Sequence, residues 1–182
     1  MVLAASRLSI ETEKPRFRSL ILLDPVIFPR DIYANDDTEA YKSMCLSFER
    51  YRRRKTQWTS VEHMIEYVAK REPFSRWPPS VLRDYCKHGL NDQYQLLCSP
   101  DTEISIYRSM VHESTQIYDD IQHIKNLDSM PVHIIRCSKP LTRQIAMDAS
   151  FTAPDLVKCF PRGQDIMLPN TTHLFPMENP HL

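Results

Sequence analysis

The chain has 182 residues, 42% of them hydrophobic and 25% charged, a composition typical of a globular protein with one domain and a sizeable core. Its 23 basic and 23 acidic side chains cancel, so no bulk charge draws it to nucleic acid or an anionic membrane. No apolar run approaches the roughly 18 residues of a membrane span. Two glycines, Gly89 and Gly163, stand where average usage would place about a dozen. A P-loop, a dinucleotide fingerprint and a G-x-S-x-G nucleophile elbow are therefore excluded within these residues, and no cofactor is expected.

The first elements are a possible helix end over Val2 to Leu8 and then the run Ser19-Leu-Ile-Leu-Leu-Asp24. This run is short, continuously apolar and stopped by Pro25, which predicts a strand of a parallel sheet covered on both faces. From Asp36 to Leu127 the pattern is helical. Tyr41, Cys45, Phe48 and Tyr51 recur at helical spacing over Thr38 to Arg54. Thr59-Ser-Val-Glu62 reads as a capping box ahead of Val61, Met64, Ile65 and Val68. Phe74, Trp77 and Pro78-Pro79 form a break, and Ser80 to His88 reads as a short helix with Gly89 expected at C′. Ser99-Pro100-Asp101 opens a longer helix, with Ile104, Tyr107, Met110, Val111, Ile117, Ile121 and Ile124 on its apolar face.

Val132-His-Ile-Ile-Arg-Cys137, behind Pro131, is the second predicted strand. A short helix over Pro154 to Phe160 and a third strand over Gln164 to Leu168 follow. The end is a loop, Pro169-Asn-Thr-Thr-His173-Leu-Phe-Pro-Met-Glu178. No internal repeat interrupts the order. A wholly helical stretch between parallel strands predicts an α/β fold: residues 1–35 and 128–182 as a partial sheet-bearing core, and residues 36–127 as a helical cap inserted over the carboxyl ends of the strands, where ligands bind.

Two residues stand out for chemistry. His173 follows the last strand, so its imidazole can reach the carboxyl edge of the sheet as a general base; an ordinary loop histidine fits the same place. Asp24 ends the first strand and could hold that histidine in its useful tautomer, although Asp-Pro also simply starts a turn. The second strand is followed by Ser138-Lys-Pro-Leu-Thr-Arg143, which has no acid, and Asp148 is expected on a helix; Asp24 is thus the better partner. Arg50-Tyr-Arg-Arg-Arg-Lys55 could bind a phosphate-bearing ligand or nucleic acid, but a solvated helix C-terminus explains it as well. Trp58, Phe74 and Trp77 suit either an apolar pocket or cap core. The five cysteines, Cys45, Cys86, Cys98, Cys137 and Cys159, include no C-x-x-C pair and are odd in number. They point to reduced intracellular thiols rather than a metal site or disulfide framework. The N-terminus lacks the basic and long apolar regions of a secretory signal.

Three segments carry a family resemblance: Ser19-Leu-Ile-Leu-Leu-Asp24-Pro-Val26, Gly89-Leu90 before Leu96-Leu-Cys-Ser-Pro100, and the ending from Leu168 to Pro180, similar to an H-x-x-P-x-E-x-P tail. In this order they resemble the fungal α/β-hydrolases of toxin and secondary-metabolite pathways, of the AK-toxin biosynthesis type, a group similar to the peroxisomal acyl-CoA hydrolase of mycophenolic acid biosynthesis. The resemblance implies hydrolysis of a small-molecule acyl ester or thioester. A serine would attack the carbonyl, His173 would take its proton, and Asp24 would orient the histidine. It also implies that the nucleophile elbow and earlier strands would lie before Met1. The chain is then expected to be an N-terminally truncated hydrolase with an exposed sheet edge at Leu20 to Leu23, or an inactive paralogue that binds a ligand or partner. Pro180-His181-Leu182 loosely matches a peroxisomal signal, which with the family favours a peroxisome over the cytoplasm.

Overall fold

The computed structural model describes residues 17–30, 42, 46, 48, 50–114, 116–138 and 149–181, with the side chains of 110–114 outside the description. Three strands form a parallel sheet in sequence order: β1 (Leu20–Leu23), β2 (Val132–Cys137) and β3 (Gly163–Leu168). The register runs Leu20↔Val132↔Gly163 to Leu23↔Ile135↔Ile166. All three strands stand where the apolar runs predict them. The β-branched central strand β2 is the most buried, while Gln164 to Met167 of β3 are exposed.

Period two then decides the faces. Leu20, Leu22, Val132 and Ile134 point into one core together with Met130, Leu156 and Phe160. Each such side chain contributes about 1.5–3 kcal/mol on full burial. The other face of β1 is open: Ile21 is 62% and Leu23 50% exposed. The expectation that β1 is covered on both faces is therefore corrected for the described residues. The strand alternates, because only its inner face meets a packed layer. Its place at the end of the three-strand order makes it an edge strand among the described residues.

Between β1 and β2 the described residues are mainly helical: α1 (Val61–Val68), a 3-10 turn (Phe74–Arg76), α2 (Pro79–His88), α3 (Pro100–Ser114) and α4 (Ile117–Ile121). A second core joins Trp58, Met64, Val68, Trp77, Leu82, Cys86 and Leu90. The helix expected from Pro100 to Ile124 is divided. Ile117, Tyr118, Ile121 and Ile124 leave the helical region and pack on the sheet, and the Tyr118 hydroxyl donates to the Phe28 carbonyl at 2.9 Å. Two different packing targets need two different helix directions, which one straight helix could not serve.

Local signals shift by small amounts. The N-cap of α1 is Ser60 rather than Thr59: the Ser60 hydroxyl accepts the His63 N–H, while Thr59 bonds the His63 ring. Gly89 is the C-cap of α2 with φ −88°, and the left-handed C′ conformation is not used. A Cβ there would lie 2.7 Å from the Tyr85 carbonyl oxygen, so close approach is what its glycine serves. The short helix expected over Pro154 to Phe160 is a 3-10 turn at Leu156–Cys159. The elements predicted at Val2 to Leu8 and around Asp148, and most of the one over Thr38 to Arg54, lie outside the described residues. A last short helix, α5 (Phe175–Glu178), closes the chain after β3. Among the described residues no helix is long and apolar enough to cross a membrane.

Candidate active site

The parallel order brings the carboxyl ends of all three strands together, and Asp24 leaves β1 there. Its N–H extends the ladder by donating to the Ile135 carbonyl at 2.6 Å, and its φ of 39° then turns the chain sharply. Asp is among the few non-glycine residues that tolerate this left-handed conformation. The turn aims the carboxylate into the protein, where its side chain is fully buried.

Each carboxylate oxygen has partners. Oδ1 accepts the Ser150 hydroxyl and, at 3.0 Å, the Thr152 hydroxyl, which also lies 2.7 Å from the Pro25 carbonyl. Oδ2 lies 2.8 Å from Nδ1 of His173 and 3.7 Å from the Cys137 thiol sulfur at the end of β2. A carboxylate only accepts hydrogen bonds, so Nδ1 of His173 carries the hydrogen, and in the neutral ring Nε2 is the nitrogen that keeps a lone pair. A buried charge is tolerated where it is this completely bonded.

His173 is held from three directions. Its ring packs against Phe151 in a T-shaped pair, with centroids 4.5 Å apart and planes at 87°. Thr172, nearly fully buried, donates its hydroxyl to Glu178 Oε1 at 2.6 Å and its N–H to Oε2 at 3.2 Å. Glu178 in turn faces Arg76 Nε at 3.2 Å, and Arg76 also reaches the Asn170 carbonyl at 3.4 Å. The loop that carries the histidine is thereby fastened to the 3-10 turn of the helical region. Leu174 adds an apolar contact by packing against the second core.

The structure thus brings together the two residues singled out in sequence. It also adds Ser150, Thr152, Phe151 and Cys137, which sequence reading did not place at the site. The alternation Ser150-Phe-Thr152 is the signal that could have found them: in extended chain, residues 150 and 152 share a side and Phe151 takes the other. Glu178 was visible in the tail motif, and its role here is to brace the histidine loop. Asp148 lies outside the described residues. Arg136 and Asp165 form a separate bidentate pair, Nε–Oδ1 2.7 Å and Nη2–Oδ2 2.5 Å, that ties β2 to β3. The hydrogen bonds to Asp165 hold the Arg136 guanidinium above its ordinary pKa, against the opposing effect of burial.

The helical region encloses a cavity of about 680 Å³ beside this site, with Leu174 and Met177 of the histidine loop in its wall. Trp58, Phe74 and Trp77 line it and belong to or pack against the second core, so the two roles considered for them coincide. The basic cluster is not simply solvated. Arg52 pairs with Asp101 at 3.1 Å, Arg54 pairs with Glu103, and Lys55 lies 5.0 Å from the Tyr67 ring centroid. Among the described residues no three His, Cys, Asp or Glu side chains converge to hold a metal ion.

Known structures repeat this arrangement of sheet and helices. The peroxisomal alpha-beta-hydrolase Lpx1 from Saccharomyces cerevisiae matches 98% of the chain with a TM-score of 0.65 at 13% identity. A thermophilic esterase from Thermogutta terrifontis, solved with malate bound, matches 98% with a TM-score of 0.50 at 19% identity. The chain has an α/β-hydrolase fold. It spans about half of each of these hydrolase structures, 46% of the first and 57% of the second. No protein-family model matches the sequence, and no curated protein matches it. The α/β-hydrolase fold therefore rests on the path of the chain, and the Asp24–His173 pair stands at the carboxyl edge of its sheet.

Proposed function

We propose that this chain supplies the acid and base of a hydrolase for acyl esters or thioesters. In this reading His173 is the general base and Asp24 its orienting acid, and the helical region from 36 to 127 caps the site. The carrying observation is the buried Asp24–His173 contact of 2.8 Å, with Asp24 fixed on its other oxygen by two hydroxyls. Such a pair leaves Nε2 free to take a proton from a nucleophile and return it to the leaving group. The 182 residues hold no G-x-S-x-G, so the reading requires a serine elbow encoded outside them. The proposal extends to a fungal toxin or secondary-metabolite pathway, on the three sequence segments described above. It extends also to a peroxisomal setting, supported by Pro180-His181-Leu182 and by the peroxisomal name of the yeast neighbour.

The test starts in the genomic sequence before the Met1 codon. An in-frame or spliced G-x-S-x-G segment is expected, and the longer protein should hydrolyse p-nitrophenyl esters. His173→Ala should then lower kcat by roughly 10⁴-fold or more. Full turnover in that variant, or no elbow upstream, removes the catalytic reading. The glycine count favours one alternative, a non-catalytic protein that binds a ligand in the cavity; hydrolysis abolished by His173→Ala would refute it.

A further inference from the structure

The cavity in the helical region carries a chemical signature of its own. Its walls are aromatic, with Trp58, Tyr67, Phe74, Trp77, Tyr85 and Tyr107. Its charged lining is five basic side chains against two acidic, in a chain whose formal net charge is zero. Arg54 and Glu103 neutralise each other in a direct pair, and the Tyr107 hydroxyl donates to Glu103 at 2.9 Å. This bond and burial both push the Tyr107 phenol far above its ordinary pKa, burial the more, so it stays a neutral donor. Among the described lining residues this leaves Arg50, Arg53, Lys55 and Arg71 against one acid, Glu72. Arg71 lies over the Tyr67 ring at 3.5 Å, and neither Arg50 nor Arg53 has an acidic partner among the described residues.

A second observation is independent of charge. Among the described residues three buried side-chain nitrogens have no hydrogen-bond partner: Nε of Arg54 and Nε1 of Trp58 and Trp77. All three residues line this one cavity. Trp58 is 6% and Trp77 7% exposed, so these are donors withdrawn from water without an acceptor. Native proteins rarely leave such donors unmatched, and here every unmatched group is a donor. An occupant that brings acceptor oxygens would answer them.

We propose that the cavity binds a small organic anion, with an apolar body against the aromatic rings and a carboxylate or phosphate head at Arg50, Arg53, Lys55 and Arg71. Planar guanidinium groups suit both heads, and a wall of aromatic rings suits an alkyl or unsaturated chain. With Leu174 and Met177 in the wall, the ligand would lie beside the His173 loop. Only this last placement, with the anion as substrate, rests on the proposed hydrolase function; binding itself does not.

The chain's two tryptophans both line the cavity, so its tryptophan emission reports on this place alone. Purified protein is titrated with decanoate, decyl phosphate and decanol, with no reading of ester turnover. The expected result is a saturable emission change with the anions and at least tenfold weaker binding of decanol. The head that binds tighter, carboxylate or phosphate, assigns the natural ligand's charge. The double variant Arg50→Ala with Arg53→Ala changes exposed side chains and should keep the far-ultraviolet circular dichroism. It should bind the preferred anion at least tenfold more weakly and leave decanol unchanged. Decanol binding as tightly as both anions, no saturable response to any of the three, or an undiminished anion preference in the double variant would overturn the proposal. Because no catalysis is measured, a failed hydrolase reading and a failed anion pocket give separate results.

Discussion

Both carboxylate oxygens of Asp24 have partners, while in the wall of the neighbouring cavity three buried donors have none among the described residues. The first region is closed: two hydroxyls, a thiol and an imidazole converge on one carboxylate, and the imidazole forms a T-shaped pair with Phe151. The second is lined with rings and surplus cations and is open to an occupant. A group that must hold one proton position gains from being fully bonded before any ligand arrives. A pocket that must accept a ligand keeps donors and charge in reserve. The two regions meet at Leu174 and Glu178, which carry the histidine loop into contact with the helical core.

The contrast breaks most sharply at Asp24. Asp24→Ala would strand the Ser150 hydroxyl and the His173 Nδ1–H in a buried place, at a cost of about 2–4 kcal/mol. Urea unfolding followed by circular dichroism measures it; an unchanged midpoint would mean that the bonding around Asp24 holds nothing in place. Glu178→Ala tests the joint between the regions. It removes the acceptor of Thr172 and the counter-charge of Arg76, for an expected loss of about 1.5–3 kcal/mol in the same assay. A loss below the error of the assay would show that the loop is held by Leu174 and Phe175 alone.

The smallest expected effect is on stability's chemical neighbour, thiol reactivity. Burial pushes the Cys86 thiol, in the core behind the cavity, from its ordinary value of 9.0 up to about 11. In mildly alkaline buffer its thiolate is then about a hundredfold scarcer than that of an ordinary cysteine, and access is lower still. Peptide mapping after iodoacetamide should find exposed Cys98 modified and Cys86 spared. Equal labelling of the two would show that the helical core opens readily.

Much of this was legible in the sequence. The three strands, their parallel order and the pairing of Asp24 with His173 follow from short apolar runs, proline stops and the absence of an acid after β2. Three things were not. The division of the long helix at Gln116 has no glycine or proline to mark it; it is decided by packing, since Ile117 and Ile121 find the sheet while Ile104 does not join that cluster. The open face of β1 was hidden because Leu20-Ile-Leu-Leu23 is apolar on both sides whichever side is covered. Ser150 and Thr152 were missed because hydroxyls that bond a distant carboxylate look, in sequence, like any surface serine and threonine; more than a hundred residues separate them from Asp24.

The most direct measurement is the tautomer of His173, read by nitrogen-15 nuclear magnetic resonance in mildly alkaline solution. The Asp24 contact requires hydrogen on Nδ1 and the general-base role requires an unprotonated Nε2, with a downfield Nδ1–H resonance that disappears in Asp24→Ala. Hydrogen on Nε2 in the wild-type protein, or an Nδ1–H resonance unmoved by Asp24→Ala, would contradict the acid–base pair on which the functional reading stands.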